Sequence, residues 1–251
     1  MKKGFWQRVR GIIGNSNLIL EIVDARFPEE TRNRQLEQMV RGAGKELVIV
    51  LNKSDLVSVA RAGKLKKEIS KEFPCVFVST KERIGSGKLR EFIGKKSGSG
   101  KVKVGVVGYP NTGKSSVINY LKGKKAAKTS SSAGFTKGEQ MVKISEKIML
   151  MDSPGVIPYD EVDERKLTLI GSRNANQLKN VVGAAEYVLR FILHENPEVL
   201  KEFYGVEGVT AEEVLEGIAV KKKRLLRGGI PDSEVAARLF LNDWQKGKLK
   251  I

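Results

Sequence analysis

Gly108-Tyr109-Pro110-Asn111-Thr112-Gly113-Lys114-Ser115 decides the fold. It fits GxxxxGK[ST] in full, follows an apolar run at 102–107 and opens a segment with helical spacing at 114–121. A glycine-rich loop between a strand and a helix lets backbone amides wrap a phosphate, with the helix N-terminus behind it. In that pattern Lys114 neutralises the β- and γ-phosphates and the Ser115 hydroxyl ligates Mg²⁺. Asn111, Thr112, Gly113 and Ser116 complete the nucleotide-facing set of the loop. The bland alternative is a glycine-rich turn with an exposed lysine, and it leaves the flanking strand and helix without a purpose.

Upstream, Asn52-Lys53-Ser54-Asp55 ends a second apolar run at 46–51. Alone the tetrapeptide is weak, but beside a phosphate loop it reads as a base-recognition motif. The Asp55 carboxylate can accept from both N1–H and the 2-amino group of guanine. Adenine has neither donor and would leave a buried carboxylate unpaired, a difference worth roughly 10⁴ or more in discrimination. Asn52 is expected on the other base edge, with the Lys53 stem along the ring. Ser79-Thr80-Lys81 ends a third apolar run at 76–78 and reads, least specifically, as the loop whose amide meets the guanine oxygen.

Downstream, Asp152-Ser153-Pro154-Gly155 fits DxxG after an apolar strand. Asp152 is expected to hold Mg²⁺ through water, and the Gly155 amide to touch the γ-phosphate. Thr136, in Ala133-Gly134-Phe135-Thr136-Lys137, is the expected second hydroxyl on Mg²⁺, with Thr129, Ser130, Ser131 and Ser132 as rivals. Val156 stands where many GTPases carry a water-positioning glutamine, so a partner, the backbone or a cation must orient water instead.

The element pattern is α/β. Strands are expected at 18–24, 46–51, 76–78 and 102–107, with a hairpin at 139–144 and 147–151; helices at 29–40, 59–73, 88–93 and 114–121 alternate with them. Such alternation implies a mainly parallel sheet covered on both faces, with ligands at the carboxyl ends of its strands. Every motif above falls at such an end. Residues 94–101, rich in Gly, Ser and Lys, read as a linker. From about 160 onward only helical patterns remain, at 181–193, 211–226 and 231–244, the last opened by Pro231 and capped by Asp232 or Ser233. Two domains are expected: a Rossmann-like P-loop domain at 1–158, and a smaller all-helical one at 159–251.

Lys and Arg exceed Asp and Glu by 46 − 29 = 17 residues, which points to a polyanionic partner such as RNA. Only 6% of residues are aromatic, which argues against base stacking as the main mode of contact. The single Cys75 cannot form an internal disulfide and reads as a small buried hydrophobe in a reducing compartment. One histidine, His194, makes histidine-cluster zinc chemistry and a histidine triad improbable, and it reads as a partly exposed helix residue. No apolar stretch reaches membrane-spanning length and no secretory leader is visible, so a cytoplasmic protein is expected.

The order of the motifs, base reader first and phosphate loop second, inverts that of ordinary GTPases. With Asp24-Ala25-Arg26, Ala-Gly-Phe-Thr-Lys, and a C-terminal Arg227-Gly228-Gly229-Ile230-Pro231-Asp232 followed by Asp243-Trp244-Gln245-Lys246-Gly247-Lys248, the chain resembles the circularly permuted GTPases of the YlqF/YawG group. The resemblance implies GTP and GDP as ligands, Mg²⁺, hydrolysis without the usual glutamine, and binding to ribosomal particles or rRNA of the large subunit, with no membrane or DNA role. It also implies a catalytic potassium ion beside Asn111, so that Asn111, Lys114, Thr136 and Gly155 form the expected catalytic set. A chain without long extensions is the form expected of a bacterial or archaeal member. Lys221-Lys222-Lys223-Arg224 is a candidate RNA contact or a solvated helix end. Asp24 and Arg26 have no chemistry beyond capping a strand. The competing reading is a GTP-dependent RNA-processing or RNA-binding factor not tied to the large subunit; a P-loop kinase is disfavoured by the base-reading motif.

Overall fold

The computed structural model describes residues 2–97, 100–123, 140–152, 168–171, 175 and 178–251. The chain forms two compact units, residues 1–160 and 161–251.

Six strands make the sheet of the first unit: β1 Leu18–Asp24, β2 Glu46–Asn52, β3 Cys75–Phe77, β4 Val102–Val107, β5 Gln140–Lys143 and β6 Ile148–Asp152. Their order is β3-β2-β1-β4-β6-β5, and every neighbouring pair is parallel except β5 with β6. β1 is buried along its whole length, as a central parallel strand covered on both faces must be. The chain winds from β1 outward through β2 to β3, then returns to the far side of β1 as β4. That reversal opens a crevice at the carboxyl ends of β1 and β4, where doubly wound sheets hold ligands.

Six helices flank this sheet: α1 Lys2–Asn15, α2 Pro28–Thr31, α3 Arg34–Gly42, α4 Val59–Ile69, α5 Ser86–Ser97 and α6 Lys114–Lys122. Sequence reading missed α1, although Val9, Ile12 and Ile13 repeat at helical spacing and are buried. A Cβ built on Gly105 of β4 would lie 2.7 Å from the Ile12 side chain, so only glycine lets this helix approach the sheet so closely. The single helix expected at 29–40 is broken. Arg32 is extended, and Asn33 starts α3 by accepting from the Leu36 amide at 3.0 Å while donating its own amide to Glu21 of β1 at 2.6 Å. The expected linker at 94–101 is shorter than read, because α5 continues to Ser97, with Lys95 paired to Glu91 at 2.8 Å and Lys96 to Glu46 at 2.7 Å. Cys75 is half-buried rather than buried, because β3 is an edge strand.

The second unit contains α7 Val181–Glu195, α8 Glu198–Tyr204, α9 Ala211–Lys221 and α10 Ser233–Gln245. Fully buried Trp244 anchors its core and donates Nε1–H to the Leu169 carbonyl at 2.9 Å. Asp232 caps α10, accepting from the Val235 amide. The helix expected to reach 226 stops at Lys221: Lys223 takes φ 54°, and the Arg224 amide closes the end on Ala219. Leu225 then bridges antiparallel to Pro231. His194 lies in the last turn of α7 with its side chain 83% exposed.

Candidate nucleotide site at the carboxyl ends of the strands

The loop after β4 has the backbone a phosphate cradle requires. Gly108, Asn111 and Gly113 all have positive φ, at 142°, 60° and 94°. A Cβ on Gly108 would meet the Ile22 carbonyl oxygen at 2.4 Å, so the loop crosses the end of β1 at a distance only glycine permits. Gly113 caps α6 without a side-chain hydrogen bond, which leaves the first-turn amides of that helix facing the loop. Buried Lys114 reaches back to donate to the Tyr109 carbonyl at 2.7 Å, and the Thr112 hydroxyl donates to the same oxygen at 2.8 Å. Ser115, Ser116 and Asn111 are exposed on the loop and the first turn.

The base-reading segment follows β2 and is joined directly to this loop. Asn52, buried at the end of β2, donates Nδ2–H to the Thr112 carbonyl at 2.8 Å. Its Oδ1 is also buried and has no partner among the described residues. A Cβ on Gly113 would lie 2.2 Å from Asn52 Nδ2. Two motifs 60 residues apart in sequence are thus interlocked. Lys53 adopts the left-handed conformation, φ 59°. A short 3₁₀ turn at Ser54–Leu56 follows and presents Asp55. The Ser79 hydroxyl donates to Asp55 Oδ1 at 2.6 Å and accepts from the Glu82 amide at 2.9 Å. The Ser79 amide is committed to the Ile84 carbonyl at 3.1 Å. Ser79 therefore supports Asp55, and Thr80 and Lys81 stand beyond it at the loop's open side.

Asp24 ends β1 opposite Asn52 of β2. Its carboxylate takes a two-pronged contact from Arg26, Nε to Oδ1 at 3.1 Å and Nη2 to Oδ2 at 3.0 Å, and a third from Lys53 Nζ to Oδ2 at 2.7 Å. Burial raises the Asp24 carboxyl, but Arg26 and then Lys53 outweigh it and hold it below the usual carboxylate range. Burial likewise lowers the Lys53 amine against the pull of Asp24. The Asp24 amide donates to Thr31 Oγ1 at 3.1 Å, and the Arg26 carbonyl accepts from Arg61 of α4 at 2.7 Å. Sequence reading left this cluster without chemistry. The available signal was a pair of opposite charges at the end of a mostly apolar strand, a place where charge survives burial only when paired.

Of the third motif, Asp152 ends β6, the neighbour of β4, in register with Val106. Thr136 and Gly155, and the rivals of Thr136 at 129–132, lie outside the described residues.

The family model described as "50S ribosome-binding GTPase" matches residues 103–214. An uncharacterised GTP-binding protein of Methanocaldococcus jannaschii is 42% identical over 249 residues, covering 96% of this chain and 65% of that protein. The nucleolar GTP-binding protein 2 of Yarrowia lipolytica is 35% identical over 256 residues, covering 98% of this chain and 50% of that one. Among solved structures, YlqF from T. maritima in its GNP-bound form aligns with TM-score 0.64 and 26% identity over 97% of this chain and 94% of that one. Its GDP-bound structure aligns with TM-score 0.65 and 25% identity, over 96% and 95%.

Over nearly its whole length the chain is similar in sequence and fold to YlqF, a circularly permuted GTPase. The permutation is visible in the sheet: the base-reading strand β2 precedes the phosphate-loop strand β4 in sequence, yet both end at the same rim. The chain spans less than two thirds of the length of the curated relatives it matches. Among its described residues no helix is long and apolar enough to cross a membrane.

Proposed function

We propose that the chain binds GTP and GDP at this rim and hydrolyses GTP to GDP and phosphate, as a switch in assembly of the large ribosomal subunit. The observation that carries the nucleotide reading is the Asn52 Nδ2–Thr112 carbonyl bond, which sets a base-reading loop and a phosphate loop at one fixed spacing. The buried, unpartnered Asn52 Oδ1 and the half-buried, buttressed Asp55 are the acceptors that a guanine would satisfy. With the Ser79 amide committed to Ile84, the amides of Thr80 and Lys81 are the ones left to that loop for the guanine oxygen in this reading.

In this reading Lys114 exchanges the Tyr109 carbonyl for the phosphates, and the amides of Gly113, Lys114 and Ser115 with the uncapped start of α6 receive negative charge. Two cations fit the donors present. Ser115 offers a hard oxygen on the first turn of α6 and Asp152 ends the adjacent strand, a set suited to Mg²⁺, with Thr136 as the expected further hydroxyl. Asn111, exposed on the loop in a left-handed conformation, offers an amide oxygen suited to potassium. When bound, such cations supply positive charge where it develops on the transferring phosphoryl group. Gly155 would add an amide. With valine at 156, water must be oriented by a partner, the backbone or that cation, so hydrolysis is slow alone and faster with partner and potassium.

The ribosomal part of the reading rests on the family description, the nucleolar relatives and the net charge of +17. Lys221-Lys222-Lys223-Arg224 closes α9 as an exposed cationic turn, the candidate RNA contact of the helical unit. The test is GTP hydrolysis in potassium and in sodium buffer, with and without purified large subunits. Stimulation by subunits that requires potassium is expected. Tight GTP binding with no stimulation in either salt would overturn the large-subunit assignment in favour of a switch fired by another RNA or protein.

A further inference from the structure

We propose that Asp24 is a positioning residue for guanine: it pins Lys53 so that the lysine stem forms a wall of the base site. The inference rests on the nucleotide reading above and assigns a task to a residue that the sequence gives no chemistry beyond capping a strand.

The ion pair is unusually committed. Asp24 is 1% exposed, and its carboxylate is shared between Arg26, itself 1% exposed, and Lys53 at 2.7 Å. Arg26 is fixed in turn by its grip on both Asp24 oxygens, by its position over the Phe27 ring, 4.8 Å from guanidinium to centroid, and by the bond from Arg61 to its carbonyl. A carboxylate held this firmly is a rigid anchor, and the flexible partner is the lysine. A lysine normally leaves four methylenes free to rotate. Here the charged end is fixed at β1 and the backbone end is fixed in a left-handed turn at β2, so the methylenes between them are stretched across the strand ends. The side chain is 25% exposed, on a residue that stands in sequence between Asn52, which touches the phosphate loop, and Asp55. Fixing an apolar stem before a ring arrives lowers the ordering cost of binding, and the contact is indifferent to the pattern of donors on the base edge. Phosphate affinity, set by the loop after β4, has no stake in it.

The experiment measures GDP and pyrophosphate by competition against N-methylanthraniloyl-GDP in wild type, Asp24→Asn, Lys53→Met and the double variant. Asp24→Asn keeps an acceptor for Arg26 and removes the charge that pins Lys53. Each single variant is expected to weaken GDP by about tenfold, the double to be no weaker than Lys53→Met, and pyrophosphate to bind all four alike. Wild-type GDP affinity in Asp24→Asn, additive losses in the double variant, or pyrophosphate weakening in step with GDP would each overturn the proposal, the last by showing a general structural effect. Should Asp24→Asn fail to fold, Asp24→Glu decides: it keeps the charge on Arg26 but shifts the anchor by a methylene. It should weaken GDP and leave pyrophosphate unchanged, and wild-type GDP affinity in it overturns the proposal. A wild-type protein that binds neither GDP nor pyrophosphate overturns the nucleotide reading itself.

Discussion

β1 carries two buried carboxylates three residues apart, Glu21 and Asp24, and their surroundings push the two carboxyls in opposite directions. Glu21 lies mid-strand, wholly buried, with one oxygen on the Asn33 amide and the other without a partner among the described residues. Burial first, then the nearby Glu37 carboxylate, pushes its carboxyl well above the usual range. The cation of that neighbourhood, Arg32, is committed elsewhere: to Glu37 at 2.7 Å and to Glu72 at 2.9 Å. Asp24 is equally hidden but has two cations of its own and stays ionised. Equal desolvation, on one strand, gives different outcomes because ion pairing rather than depth decides whether a buried carboxylate keeps its charge. Glu21 joins a strand to a helix start, and Asp24 stands at the rim where a ligand would dock.

The largest expected effect breaks the charged half. Asp24→Ala strands Arg26 in the interior and leaves Lys53 unpaired, and should cost about 3–5 kcal/mol in urea unfolding. A loss below about 1 kcal/mol would mean Arg26 escapes to water. Next comes Gly113→Ala, which forces a Cβ against Asn52 Nδ2 at φ 94°. Strain of about 1–3 kcal/mol should weaken GDP by tenfold or more, measured by nucleotide titration.

A smaller effect of opposite sign tests the half whose carboxyl is pushed up. Glu21→Gln keeps the acceptor for the Asn33 amide and removes the possibility of ionisation. A carboxyl whose value is raised on folding stabilises the native state fully below its unfolded value, and that stability is lost as pH rises toward the folded one. The variant should therefore gain about 1 kcal/mol over wild type near neutral pH, and the advantage should vanish below the ordinary glutamate range near 4. Asp24 runs the other way: its contribution is present above the ordinary aspartate range and is lost as pH falls through its lowered folded value. Denaturant midpoints followed from neutral to acid pH read both slopes. The smallest effect is at the rim of the Glu21 network. Arg34 is about half exposed, and Arg34→Ala should cost less than about 1 kcal/mol despite its 2.6 Å contacts to Glu29 and Glu72.

The strands were legible in the sequence because buried parallel strands are mostly apolar runs bounded by turn residues, as at 18–24, 46–51 and 102–107. The phosphate loop was legible because its glycines stand where positive φ or a close crossing admits nothing else, as Gly108 against Ile22 and Gly113 against Asn52 demonstrate. Helix ends were less legible. The break at Arg32 and Asn33 depends on Glu21 supplying an acceptor from another element, and the stop after Lys221 on a left-handed residue with no glycine to announce it.

By itself the sequence determined the α/β class, the inverted order of the motifs and the chemistry each motif can perform, since these follow from residue type and local period. Only the tertiary structure decided that Asn52 locks onto Thr112, that Ser79 serves Asp55, and that cations hold the Asp24 carboxyl low and bind it to Lys53 while burial pushes the Glu21 carboxyl up. Those outcomes depend on which groups from distant segments share a buried volume, and the free energy of a buried charge or acceptor is set by these neighbours rather than by the residue that carries it.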